Sequence, residues 1–134
     1  MSIIYESKKY RTLLRLAFSH LDVPTVKKSK HFTFVLRQGR LVVWGWNQRR
    51  QLADNQQRFT IHSEIHALNR LMAQTRNNRF IGKQYTIVNV RINREGKIGF
   101  AKPCNKCQEE MVNKGINEVI FSCDDQSFAV LGRL

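Results

Sequence analysis

Acidic residues are scarce in this 134-residue chain: 10 Asp and Glu stand against 23 Lys and Arg, a formal net charge of +13 at pH 7. Proline occurs twice, cysteine three times and glycine seven times. Each shortage excludes something. Few Pro and Gly beside 42% apolar residues rule out collagen-like and low-complexity chains and indicate a globular protein. Three cysteines cannot all pair within one chain, so a secreted disulfide scaffold is not expected and a reducing, cytoplasmic setting is. No apolar run approaches the ~20 residues of a membrane-spanning helix, so no membrane partner is expected. Met1–Lys8 lacks the charged start, apolar run and small-residue cleavage site of a signal peptide. The length suits one domain, expected to run over 1–134.

The charge is unevenly spread. Residues 1–106 hold 21 of the 23 Lys and Arg but only 5 of the 10 Asp and Glu. Such a field suits an anionic partner, either a nucleotide phosphate or a whole nucleic acid. Its bland alternative is solubility.

Residues 5–21 carry Tyr10, Leu13, Leu14, Ala17, Phe18 and Leu21 at three- and four-residue steps, which predicts an amphipathic helix ended by Asp22 and Pro24. Lys27-Lys28-Ser29-Lys30 reads as a basic connector. Residues 31–37 and 40–46 are rich in β-branched and aromatic residues and flank Gln38-Gly39, the pattern of a two-residue hairpin. Trp44 and Trp46 fall on one face of the second strand and read as core, with Trp46 alternatively walling a pocket. Gly45 would let another backbone approach closely. Residues 48–59 are polar and basic and read as a loop. Thr60 is expected to cap a helix over 61–76, broken by Asn77-Asn78 and Gly82. Strands are expected at 85–92 and 118–122, with a short extended piece at 98–100. Pro103 suits the first position of a helix that Gly115 closes. Residues 127–134 leave room for one short strand, antiparallel to the fourth.

Chemistry concentrates in two stretches, His62-Ser63-Glu64 and Pro103-Cys104-Asn105-Lys106-Cys107. Cys104 and Cys107, three apart at a helix start, project to one side. A helix N-terminus and a nearby metal both favour thiolate. With His62 they make three ligands, the number a catalytic zinc takes while keeping its fourth position for water whose pKa it lowers toward ~7. Glu64 is left over as a general acid/base. A CxxC alone could be a redox pair or half a structural site, and an HxE alone means little; both opening helices after strands is a specific pattern. His66, one turn after His62, reads as a neighbour of the site, Cys123 as a buried or edge thiol, and His20 and His31 as incidental.

The H-x-E…P-C-x-x-C pair resembles the zinc-dependent cytidine/deoxycytidylate deaminase superfamily. The resemblance runs from the 32–46 hairpin to the 118–122 strand. It implies a three-layer α-β-α sandwich around a mixed sheet of about five strands, here with a short hairpin-like C-terminal strand. It implies a Zn2+ cofactor and hydrolytic loss of ammonia from C4 of cytosine or C6 of adenine. Asn47 matches an asparagine set against base or sugar, and Ser63, in place of a frequent alanine, offers its backbone N–H to the ring carbonyl. The Lys102 carbonyl is expected near the departing amine. Residues 93–100 insert a turn ahead of the cysteines, and the short ending resembles the free-nucleoside branch. Homo-oligomers are common in such small deaminases.

Three functions stay open at this point. One is deamination of cytidine, deoxycytidine or a monophosphate, with Arg49, Arg50 or Arg58 available for a phosphate. Another is deamination of bases in single-stranded DNA or RNA, favoured by the basic balance. The last is a non-catalytic zinc domain, against which Glu64 argues.

Overall fold

The computed structural model describes residues 4–22, 29–51, 58–75, 84–116 and 118–131. In chain order the elements are β1 (Ile4–Glu6), a 3-10 turn (Ser7–Tyr10), α1 (Arg11–Ser19), β2 (Lys30–Arg37), β3 (Arg40–Trp46), β4 (Gln48–Gln51) and β5 (Arg58–Ile61). They continue as α2 (Ser63–Thr75), β6 (Tyr85–Ile92), β7 (Ile98–Gly99), α3 (Asn105–Asn113), β8 (Glu118–Ser122) and β9 (Ser127–Val130). Seven strands form one mixed sheet in the order β1-β9-β8-β6-β2-β3, with β7 added on β6.

The hairpin β2–β3 forms because Gln38 and Gly39 both adopt positive φ, 52° and 78°, the pattern of a tight turn whose twist matches the strands. β6 then pairs antiparallel with β2 over its whole length. Among the described strands only β6 and β8 pair in parallel, so the chain must cross over between them, and α3 is that crossover. A Schellman-type end stops α3: the Ile116 N–H reaches the Met111 carbonyl at 3.0 Å, the Gly115 N–H reaches Val112 at 2.9 Å, and Gly115 has φ +84°.

Strand alternation sorts the core into two faces. Val35, Ile87 and Val119 pack with Leu68 and Leu71 of α2 and Met111 of α3. Their neighbours Phe34, Val88 and Ile120 point the other way, onto Leu13 and Ala17 of α1. The result is the expected sandwich, with α2 and α3 on one face and α1 on the other. Phe32, Phe34, Phe121 and Phe128 are fully buried, each contributing about 1.5–3 kcal/mol of apolar transfer. Lys8, Lys9, Arg11 and Arg15 are exposed around α1, on the face away from α2 and α3.

Several expectations need correcting. The predicted helix over 5–21 is a short strand, a 3-10 turn and then α1; Phe18 is 41% exposed because the apolar stripe is narrower than its spacing suggests. Residues 48–51 and 58–61 are not loop but a two-stranded antiparallel ribbon. Thr60 therefore pairs with Arg49 in extended backbone and cannot cap α2. Pro103 lies before the helix, since Cys104 at φ −70° and ψ 165° is the cap. The five expected strands, β2, β3, β6, β8 and β9, do form one mixed sheet, to which β1 and β7 add short pieces. β9 does pair antiparallel with β8, as the short ending implies. The connector residues Lys27-Lys28, the proposed helix breakers Asn77-Asn78 and Gly82, and the side chains of Arg49, Arg50 and Arg58 lie outside the described residues. Among the described residues no helix is long and apolar enough to cross a membrane.

Candidate active site

Two backbone junctions on the same side of the sheet build the site. One is the step from β5 through His62 into α2. It is held against the sheet by an approach so close that a Cβ on Gly45 would lie 2.5 Å from the Ala67 nitrogen and 2.9 Å from the Ser63 carbonyl oxygen. Only glycine lets β3 and α2 meet at that distance. The second is the step through Pro103 into α3, where the Cys104 Sγ accepts the Cys107 N–H at 3.5 Å and so caps the helix with sulfur.

These junctions converge. His62 Nδ1 lies 3.6 Å from the Cys104 Sγ and 3.3 Å from the Cys107 Sγ, and all three ligand atoms are within 4.8 Å of one another. Tetrahedral zinc with ordinary Zn–S and Zn–N bonds would place such atoms about 3.6 Å apart, so the cluster has the right spacing. His62 and Cys104 are exposed while Cys107 is buried, which leaves one side open. Burial pushes the Cys107 thiol up from its ordinary value, with the charge of Glu64 next and Cys104 adding to it. A divalent cation bound beside Cys107 would offset what keeps its thiol protonated. The donor set fits zinc.

Glu64 is 7% exposed and lines, with His31, Asn47, His62, Ser63, Lys102 and Cys104, a cavity of about 160 Å³. Both substrate-contact candidates, Asn47 and Ser63, thus stand in that wall. The Asn47 side chain is also structural: its Oδ1 accepts the His31 N–H at 2.9 Å and its Nδ2 donates to the Ser29 carbonyl at 3.2 Å. His31, expected to be incidental, lines the cavity instead.

His66 is no part of the ligand cluster. Its Nδ1 accepts the Trp46 N–H at 3.1 Å and lies 2.8 Å from the Gln48 amide nitrogen, while the Trp46 ring stands edge-on at 4.5 Å. The two tryptophans belong to the α1 face, and Trp46 does not wall the cavity. Arg70 of α2 reaches round the edge of β3, donating to the Trp44 carbonyl at 2.7 Å. Cys123 is half-buried against Phe121 and Ala129 and is held up by burial first and Asp124 second.

Residues 8–123 match the family described as the cytidine and deoxycytidylate deaminase zinc-binding region. The chain belongs to this family. Zinc is the cofactor of the deaminase family, and His62, Cys104 and Cys107 are placed to hold it. Membership supports a deaminase acting on cytosine substrates. No curated protein matches the chain in sequence. Two solved structures share the deaminase fold at low identity. The cytidine deaminase from Mycobacterium leprae is 15% identical with a TM-score of 0.55, covering 88% of this chain and 90% of its own. The dCMP deaminase from the cyanophage S-TIM5 is 18% identical with a TM-score of 0.56, covering 89% and 86%.

Proposed function

We propose that the protein is a zinc-dependent hydrolytic deaminase that converts the cytosine of a free nucleoside or nucleotide to uracil, with release of ammonia. One observation carries this reading: the three metal-ligand atoms meet beside a buried carboxylate, Glu64, in the wall of one cavity. When bound, zinc supplies water activation at neutral pH. The oxygen of water bonds to C4 and the C4–N bond breaks; of water's two protons one goes to ring N3 and the other to the amine, which leaves as ammonia. Glu64 is the proton carrier, taking a proton from water and giving it to the leaving amine. Asn47 and His31 orient the base or sugar from the β2–β3 side of the cavity. The Ser63 backbone N–H meets the ring carbonyl, and the Lys102 carbonyl accepts from the amine.

A free monomer is favoured over a polynucleotide by the placement of the described basic residues. Lys8, Lys9, Arg11 and Arg15 lie around α1, across the sheet from the cavity, and of the described Lys and Arg residues only Lys102 lines it. The cyanophage dCMP deaminase is also described in complex with dCMP and dUMP, at 17% identity and a TM-score of 0.54.

The test is ammonia release by zinc-loaded protein on cytidine, deoxycytidine, both monophosphates and a cytosine-containing single-stranded oligonucleotide, with Glu64→Ala as control. Turnover of a monomer that Glu64→Ala abolishes is expected. Turnover of the oligonucleotide alone makes the protein an editor of nucleic acid. Retained turnover in Glu64→Ala sinks the assignment of the proton carrier.

A further inference from the structure

Behind Glu64 lies a line of buried polar groups that metal binding and substrate contact do not require. Thr33 of β2 and Asn89 of β6 are 0% and 3% exposed, at positions where the strand pattern would place apolar residues. They face each other across the sheet as register partners. The Thr33 hydroxyl donates to the Asn89 Oδ1 at 2.7 Å and lies 2.8 Å from the Ser63 hydroxyl oxygen. The Asn89 Nδ2 donates to the Glu64 Oε2 at 3.0 Å and to the Ala101 carbonyl at 3.3 Å. The Ser63 hydroxyl donates to the Glu64 Oε1 at 3.2 Å.

The amide has only one sensible orientation. Its two N–H bonds face two acceptors, a carboxylate oxygen and a backbone carbonyl, while its oxygen faces a hydroxyl proton. Turning it over would set oxygen against oxygen twice. The Glu64 carboxylate and the Ala101 carbonyl thus set which end of Asn89 meets Glu64, and the Thr33 hydroxyl holds the amide oxygen from behind. With Ser63 on one oxygen and Asn89 on the other, both carboxylate oxygens are gripped from the sheet side, and the torsional freedom of a long side chain is removed. Asn89 also binds the carbonyl of Ala101, three residues before Cys104. One amide therefore references the α2 carboxylate to the segment that carries the cysteines.

We propose that Asn89, held at its oxygen by Thr33, is the positioning residue of this active site: it fixes the Glu64 carboxylate in the plane and place from which it moves protons. The inference rests on the reading of Glu64 as proton carrier given above. Thr33 and Asn89 are neither metal-ligand candidates nor lining residues themselves and reach the cavity only through Ser63 and Glu64, so their loss acts on the proton-transfer step and leaves metal uptake alone.

The experiment compares wild type, Thr33→Val, Thr33→Ser and Asn89→Asp for zinc content, kcat and KM, together with the side-chain amide signal of Asn89 by NMR. Valine keeps the β-branched shape, so Thr33→Val is expected to fold and bind one zinc. Its kcat should fall at least about tenfold with KM little changed, since a carboxylate displaced by a fraction of an ångström forfeits much of its acid–base contribution. Thr33→Ser should recover most of the loss, and Asn89→Asp, which sets two carboxyl groups together, should be the slowest. The Asn89 amide protons should exchange slowly with solvent in wild type and at least about tenfold faster in both Thr33→Val and Glu64→Ala. Wild-type kcat in Thr33→Val, or an Asn89 amide indifferent to Glu64→Ala, overturns the proposal. If wild type deaminates no cytosine substrate, the functional reading fails, and amide exchange alone still decides whether Asn89 grips Glu64.

Discussion

Replacing Gly45 by alanine should damage the metal centre from a distance. The added Cβ would lie 2.5 Å from the Ala67 nitrogen, 2.9 Å from the Ala67 Cα and 2.9 Å from the Ser63 carbonyl oxygen. All three are backbone atoms of α2, so no side chain can swing aside and the helix itself must move. Restoring an ordinary contact near 3.4 Å asks for a shift of about 0.9 Å at the closest atom. Overpacking of this kind costs roughly 1–3 kcal/mol. Its second effect is chemical, because Ser63 and Glu64 open the helix that moves and His62 immediately precedes it. Misplacement of catalytic groups by about 1 Å can lower a rate by a factor near 100. Urea unfolding gives the first quantity, and zinc competition against a chelator with kcat gives the second. Gly99 is the control: a Cβ there finds its nearest neighbour at 3.5 Å, the flexible side chain of Arg91, so Gly99→Ala should stay within about 0.5 kcal/mol of wild type. If Gly45→Ala matches Gly99→Ala in stability and zinc affinity, the close packing of β3 on α2 does not govern the site.

Metal-free protein should lose stability as pH rises above about 9, because the buried Cys107 thiol, held up by burial and then by Glu64, keeps its proton in the folded state where the unfolded chain releases it. That contribution is whole below the unfolded value and drains above it. Urea midpoints across this range should fall more steeply for wild type than for Cys107→Ser, and parallel slopes would contradict the assignment. In the same metal-free protein, iodoacetamide should label exposed Cys104 before Cys107 and Cys123, whose thiolates are disfavoured by burial, and zinc should protect Cys104. Mass spectrometry of timed samples reads the order, and equal labelling of all three would refute it. His66→Phe should destabilise by about 1–3 kcal/mol through the orphaned Trp46 N–H while one zinc per chain is retained; loss of zinc would make His66 a ligand.

The sequence disclosed the metal centre better than its surroundings. Zinc chemistry demands particular side chains at particular spacing, and the two motifs carry that demand in a few adjacent residues. The β2–β3 hairpin was equally plain because Gln38-Gly39 sets the turn locally. By contrast, Gln48-Arg49-Arg50-Gln51 shows no apolar alternation, since the β4–β5 ribbon stands apart from the main sheet, and it read as loop. Thr33 and Asn89 were passed over for a different reason. A polar residue in a strand looks the same whether it faces water or a buried carboxylate, and the 56-residue separation between them closes only in the fold. His31 shares that difficulty, with its cavity wall completed by α2 and by Lys102.

The meeting of His62 with the two cysteines also has a mechanical side. The residues it joins are 42 and 45 positions apart, and between them run all of α2, the central strand β6 and the appended β7. A metal bound there is a cross-link that closes a loop of that length, comparable in its effect on the unfolded chain to a disulfide worth on the order of 4 kcal/mol. Chelation would therefore do more than silence a reaction. It would return to the chain the freedom of its whole middle third, so the same ion that serves the chemistry is expected to govern how long the fold survives proteolysis.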